Sequence, residues 1–263
     1  MKNGGKKQKI LGISLAVIYL IFNFFMFQDI MRRETIISKD SNVLVMGTNA
    51  TFKPFEYKDG DTVVGFDVDL AEEIAKSLGA ELKIEDMSFD GLLPALESGQ
   101  IDLAVAGMSV TEERAKNVFF SDPYYVASQQ IIVRSEGSIK NRYELVNKTI
   151  GVQLGTTGDQ MARQIKGAKV VQFPAAPNVL QELTTGRIDA AILDNAPAAQ
   201  YVAGFSNLKI LNLPLSREPY AVAIKKGNQK LLDQVNRVIT EMREDGRMQK
   251  IVMKHFGTAE GQL

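Results

Sequence analysis

Two stretches decide how this chain folds: "LPALESGQIDLAVAG", Leu93 to Gly107, and "LQELTTGRIDAAILD", Leu180 to Asp194. Each ends a run of apolar residues at helical spacing, passes a glycine suited to a left-handed helix stop, and enters a short apolar strand through Ile-Asp. Gly99, Ile101 and Asp102 align with Gly186, Ile188 and Asp189 without a gap. One helix-glycine-strand unit is commonplace. Two that share Gly-x-Ile-Asp-x-Ala point to a repeated α/β lobe.

The pattern extends outward from both copies. "NVLVMGT" (42–48) and "ELKIEDM" (81–87) have the character of strands, and "DVDLAEEIAKSLG" (67–79) and "FDGLLPALESG" (89–99) that of helices. "SQQIIVRSE" (128–136) carries the chain into the second copy, where "KTIGVQ", "GDQMARQIKG", "KVVQF" and "NVLQELTTG" repeat the alternation. Strands alternating with helices predict parallel sheets covered on both faces. "PYAVAIKKG" (219–227) is expected to return as one strand, followed by two C-terminal helices. The expected fold is α/β, with two parallel-sheet lobes joined by a two-strand hinge. Lobe 1 comprises residues 41–127 and 219–263, and lobe 2 residues 128–218.

Composition narrows the function. The chain has 263 residues with 31 basic and 31 acidic side chains. Residues 1–40 hold seven of the basic and three of the acidic ones, which leaves 24 against 28 in the body. A mildly acidic body without a basic stripe argues against nucleic acid. The absence of cysteine excludes disulfides, thiolate metal sites, a cysteine nucleophile and a lipidated N-terminal cysteine. No metal or cofactor motif stands out. At the start, Lys2, Lys6, Lys7 and Lys9 precede an uncharged apolar run from Ile10 to Phe27. Its 18 residues are longer than a signal core and just long enough to span a bilayer. Residues 1–40 are therefore expected to form an N-terminal hydrophobic helix, a signal-anchor with a cleaved signal peptide as its competitor, and to place the body outside the cytoplasm.

In open α/β sheets a ligand sits beyond the carboxyl ends of the strands, and several segments reach that place. "LAVAGMSVTEER" leaves a strand at Gly107 and enters a helix near Ser109 or Thr111, with Ser109 and Glu112 spaced as a capping box. A helix start favours an anion, and Arg114 can grip a carboxylate or lie on the surface. "GVQLGTTGDQ", with Thr156 and Thr157 between two glycines, is a second anion cradle or an ordinary turn. Asp194 ends a strand, where it suits an ammonium group or caps the helix after it. Phe52 and Phe89 lie in expected loops, to bracket a ligand or to pack in the core. Arginine, aspartate and aromatics together describe a free amino acid.

From Val43 to Gly257 the chain resembles the polar-amino-acid solute-binding proteins of ABC importers. The matching stretches are "PFEY", "GFDVDLAEEIAK", "FDGLLPAL", "AGMSVTEERAKNVFFSDPYY", "GVQLGTTG" and "LDNAPA". The resemblance implies a two-lobed periplasmic-binding-protein fold of type II and delivery of the ligand to an ABC permease. It implies that Arg114 binds the α-carboxylate, helped by Ser109 and the Thr157 region, and that Gly107 and Asp194 take the α-amino group. Phe52 and Phe89 would stack on the ligand, while Asn49 and Gln153 would face its side chain. Asn49 is neutral where relatives that take basic amino acids often carry an acid, which speaks against a purely cationic substrate. Glutamine suits the two amides, and arginine remains open through stacking and carbonyl acceptors. Two other classes compete: an enzyme similar to cyclohexadienyl dehydratases, and a ligand-sensing domain. The enzyme needs an acid in the cleft. His255 lies in the C-terminal region, poorly placed for this, and Glu56 is a conceivable acid with a structural role as its alternative.

Overall fold

The computed structural model describes residues 42–257. β1 (Val43–Thr48) is followed by β2 (Thr51–Phe52), β3 (Glu56–Asp59) and β4 (Thr62–Val64), which pair antiparallel as a small sheet of their own. Then come α1 (Phe66–Ser77), β5 (Glu81–Asp86), α2 (Leu92–Ser98), β6 (Leu103–Ala104), the single turn α3 (Glu112–Ala115) and β7 (Val118–Phe120). β8 (Tyr125–Ala127) leads into β9 (Gln129–Arg134), β10 (Thr149–Gln153), α4 (Thr157–Gln164), β11 (Lys169–Phe173), α5 (Ala176–Thr184), β12 (Ala190–Asp194), α6 (Asn195–Val202) and β13 (Leu208–Leu211). β14 (Glu218–Tyr220), β15 (Ala223–Lys225), α7 (Gln229–Glu244) and α8 (Arg247–Phe256) complete the chain.

Two five-stranded sheets result, β5-β1-β6-β15-β7 and β11-β10-β12-β9-β13. Neither is wholly parallel, which corrects the expectation from the alternating pattern. β5, β1 and β6 run parallel, as do β11, β10 and β12, but β15 and β9 pair antiparallel beside them. The reason is connectivity. β9 enters the second sheet, and β15 re-enters the first, from a crossing segment rather than from a helix on the sheet face. Those crossings, β8 and β14, pair antiparallel with each other. The expected single return strand is thus two, with β14 between the sheets and β15 within the first.

The repeated Gly-x-Ile-Asp has a physical cause. Asp102 Oδ2 accepts from the backbone N–H of Val45 at 2.8 Å, and Asp189 Oδ2 from that of Thr149 at 2.9 Å. Two residues on, a Cβ on Gly47 would lie 2.4 Å from Ile101 Cδ1, and one on Gly151 only 2.3 Å from Ile188 Cδ1. The same isoleucine packs onto the same bare glycine in each lobe, beside the same aspartate cap. Helices cover the sheets with matching stripes. α7 buries Leu231, Val235, Val238, Ile239 and Met242, about one turn apart. α1 buries Phe66, Val68, Leu70, Ala71, Ile74 and Ala75, and its first-turn Asp67 and Asp69 suit the positive end of the helix. Among the described residues no helix is long and apolar enough to cross a membrane. The apolar run at 10–27 lies outside them.

Candidate functional site

The carboxyl ends of β1, β6, β10 and β12 bring their following residues to one place. All ten residues singled out from the sequence border a single cavity, together with Glu56 and Ala106.

Arg114 is buried, 6% exposed, so it is no surface side chain. Thr111, not Ser109, caps α3, its Oγ1 accepting from the Arg114 N–H at 3.2 Å. The capping box expected of Ser109 and Glu112 does not form, because the Ser109 hydroxyl is turned to Glu218. The guanidinium donates from Nη1 to the Ser109 carbonyl at 2.7 Å and from Nη2 to the Gly155 carbonyl at 2.9 Å. It stands 5.3 Å over the Phe89 ring. Burial lowers its pKa, while the charges of Asp194 and Glu218 pull it back. Opposite, Thr156 caps α4, with Oγ1 accepting from the Asp159 N–H at 3.3 Å. The Thr157 and Gly158 N–H groups ahead of it have no partner within the helix. Gly155 takes the left-handed φ of 78°. Gly158 is small for a different reason than anion binding: a Cβ there would meet Gln129 Oε1 at 3.0 Å and the Ile192 carbonyl at 3.2 Å.

Carboxylates gather on the other side. Asp194 occupies the N-cap position of α6, yet its side chain makes no capping bond. Instead Oδ1 accepts from the Tyr220 hydroxyl at 2.6 Å, and burial raises its pKa to about 7. Asp67 Oδ2 accepts from the Gly107 N–H at 2.7 Å and from the Tyr124 hydroxyl at 2.8 Å, and burial raises its pKa to about 6. Because the Gly107 N–H is committed to Asp67, its carbonyl is the group left for a ligand. Glu56 is 1% exposed, and neither of its oxygens has a hydrogen-bond partner. Burial, then the charges of Asp67 and Asp194, raise its pKa well above the usual carboxyl value. Asp67 Oδ1 is equally unpartnered, so one proton shared between these carboxyls satisfies both.

Phe52 lies in β2 rather than in a loop, and it is 7% exposed. Its ring stacks on Phe55 at 5.9 Å and closes over Gly107, where a Cβ would come within 2.8 Å of it. Phe89 sits in a one-turn 3-10 helix instead of a loop. Gln153 Nε2 donates to Asn49 Oδ1 at 3.0 Å, and Asn49 Nδ2 to the Met87 carbonyl at 2.8 Å. At the rim, the Tyr201 hydroxyl donates to the Thr51 carbonyl and accepts from the Lys53 N–H at 3.1 Å. These contacts hold the two lobes closed on each other. His255 belongs to packing, with Nε2 2.7 Å from Asp69 Oδ2.

Glu56 and Glu218 are what sequence reading underweighted. Glu56 was a conceivable acid, and the structure puts it in the cavity wall. Glu218 has no spacing signal; "REPY" at 217–220 reads as any strand start.

The model of the bacterial extracellular solute-binding proteins, family 3, matches residues 44–258. The arginine-binding extracellular protein ArtP of Bacillus subtilis is 37% identical over 219 residues, covering 81% of this chain and 86% of ArtP. Among solved structures, a mutant of ArgBP from T. maritima superposes with a TM-score of 0.80 at 45% identity, covering 82% of this chain and 96% of that one. An ancestral arginine-binding protein bound to glutamine superposes with a TM-score of 0.77 at 45% identity, covering 84% and 100%.

Proposed function

The chain belongs to the bacterial extracellular solute-binding proteins of family 3, and we propose that it captures a free polar L-amino acid between its lobes and delivers it to an ABC permease. One observation carries this reading. A buried arginine and a buried aspartate border one cavity, and each is bonded to neutral groups: Arg114 to two carbonyls, Asp194 to a tyrosine hydroxyl. Buried charges without a charged partner are costly, and a zwitterion supplies the partner for both. Arg114 and the backbone N–H groups at α4 take the α-carboxylate, while Asp194 and the Gly107 carbonyl take the α-ammonium.

The third carboxyl selects the side chain. Asn49 and Gln153 offer amides, which suit glutamine. Glu56 adds a second buried carboxyl to the same cavity, protonated against Asp67 while the cavity holds no cation, and a cationic side chain that displaces this proton forms an ion pair with it. L-Arginine or another basic amino acid is therefore the favoured ligand, with L-glutamine next. Relatives named for arginine binding, and one arginine-binding relative solved with glutamine, support both choices. Closure about β8 and β14 is a hinge motion that a ligand touching both lobes would stabilise. The apolar run at 10–27 would keep the body beside its permease.

Thermal unfolding against a panel of L-amino acids tests this, with calorimetry on each hit. A ligand at 100 times its dissociation constant adds about 2.7 kcal/mol. A raised midpoint with arginine above glutamine fits the reading. No shift with any amino acid overturns it and brings forward cyclic acids with a turnover assay.

A further inference from the structure

Glu218 holds both hydroxyls that the family resemblance assigns to the ligand's carboxylate. It lies on β14, the returning crossing strand, and is 7% exposed. Its Oε2 accepts from Ser109 Oγ at 2.7 Å, from Thr157 Oγ1 at 2.6 Å and from Gln129 Nε2 at 3.5 Å. Its Oε1 accepts from Ser216 Oγ at 2.7 Å. Ser109 follows β6 in the first lobe, and Thr157 opens α4 in the second. A hydroxyl carries one proton. A proton given to Glu218 cannot also reach a ligand oxygen, so towards the cavity these two side chains present lone pairs.

The geometry points to Glu218 as a positioning residue, a clasp that joins Ser109 to Thr157 across the closed cleft and leaves the ligand's carboxylate to Arg114 and backbone N–H groups. For the ligand this rests on the function proposed above. One oxygen can hold both hydroxyls only at the closed spacing of the lobes. Hydrogen bonds to a carboxylate are the stronger kind, and opening breaks at least one of these. The clasp therefore acts on the rate of release, not on the encounter.

A kinetic double-mutant cycle on the full chain tests it, with L-arginine as probe. Ser109→Ala, Thr157→Ala and Glu218→Gln are each expected to speed dissociation about tenfold, the worth of one charge-assisted bond, with association unchanged within about twofold. The doubles Ser109→Ala/Glu218→Gln and Thr157→Ala/Glu218→Gln should speed release by clearly less than the product of the single factors, because both changes act on the same bond. Factors that multiply, or losses confined to association, mean that the hydroxyls act on the ligand independently, and the clasp is overturned. A wild-type protein that binds neither L-arginine nor L-glutamine counts against the proposed function alone. The same cycle is then read on the melting temperature of the ligand-free protein, where non-additive shifts keep the clasp and additive ones remove it.

Discussion

If Asp194 pairs with the ligand's ammonium, binding must be linked to protons. In the closed cavity burial raises this carboxyl from an ordinary 3.8 to about 7. Only its ionised form attracts an ammonium group. The contribution is therefore complete above the raised value and is lost as pH falls through it. With a pKa of about 7, the protonated form outnumbers the ionised one about 30-fold at pH 5.5. Freeing the carboxylate there costs about 2 kcal/mol, at about 1.4 kcal/mol per unit. Affinity should fall about 30-fold from pH 8 to pH 5.5. Asp194→Asn removes the titrating group and separates it from Glu56, which shifts the same way. At pH 8 the variant should bind about 30-fold or more weakly, since truncating one member of a buried charge pair costs about 2–5 kcal/mol. By pH 5.5 the two proteins should nearly converge. Calorimetry in buffers of different ionisation enthalpy gives a second reading: about half a proton released per ligand bound by the wild type at pH 7, and less by the variant. A wild-type affinity that is flat with pH, or a variant whose profile falls in parallel, would refute the reasoning.

Arg114→Ala should weaken binding at least about 100-fold, from a loss of about 3 kcal/mol or more, while circular dichroism shows the fold intact. Glu56→Gln should lower the preference for L-arginine over L-glutamine about tenfold, measured as the ratio of their dissociation constants, with little change for glutamine itself. An unchanged ratio would remove Glu56 from side-chain selection. Gly47→Ala and Gly151→Ala should each destabilise by about 1–3 kcal/mol by overpacking against Ile101 and Ile188, seen as a lower melting temperature with affinity nearly retained.

Much of this was legible in the sequence because the repeated Gly-Ile-Asp is local. Its glycine, its packing partner and its cap lie in adjacent elements, so the spacing survives as a pattern. The helices followed from apolar stripes in the same way. Strand direction did not, because β9 and β15 carry the same buried apolar runs whether they enter parallel or antiparallel. Only the crossings decide it. The small sheet of β2, β3 and β4 was missed because "TFKPFEYKDGDTVV" is rich in turn formers, although Gly60, at φ 60°, marks the hairpin between β3 and β4. At the site, eight of the ten residues came from short motifs next to strand ends, while Asn49 and Gln153 came only from the family resemblance. Glu56 and Glu218 have no such signal. A glutamate in a short strand reads as a solvent-facing residue. What makes each of them notable is a partner, or the lack of one, far away in the chain: Glu218 meets Ser109 across 109 residues.

The duplicated contact also gives the molecule a built-in comparison. Gly47 with Ile101 and Asp102, and Gly151 with Ile188 and Asp189, are the same arrangement of atoms in two settings. Any difference between matched substitutions must come from what surrounds each copy. The first lobe alone carries α7 and α8, which pack on α1. Asp102→Ala set against Asp189→Ala therefore weighs the C-terminal helices without touching them, and the lobe that melts first names the half of the chain on which the other depends.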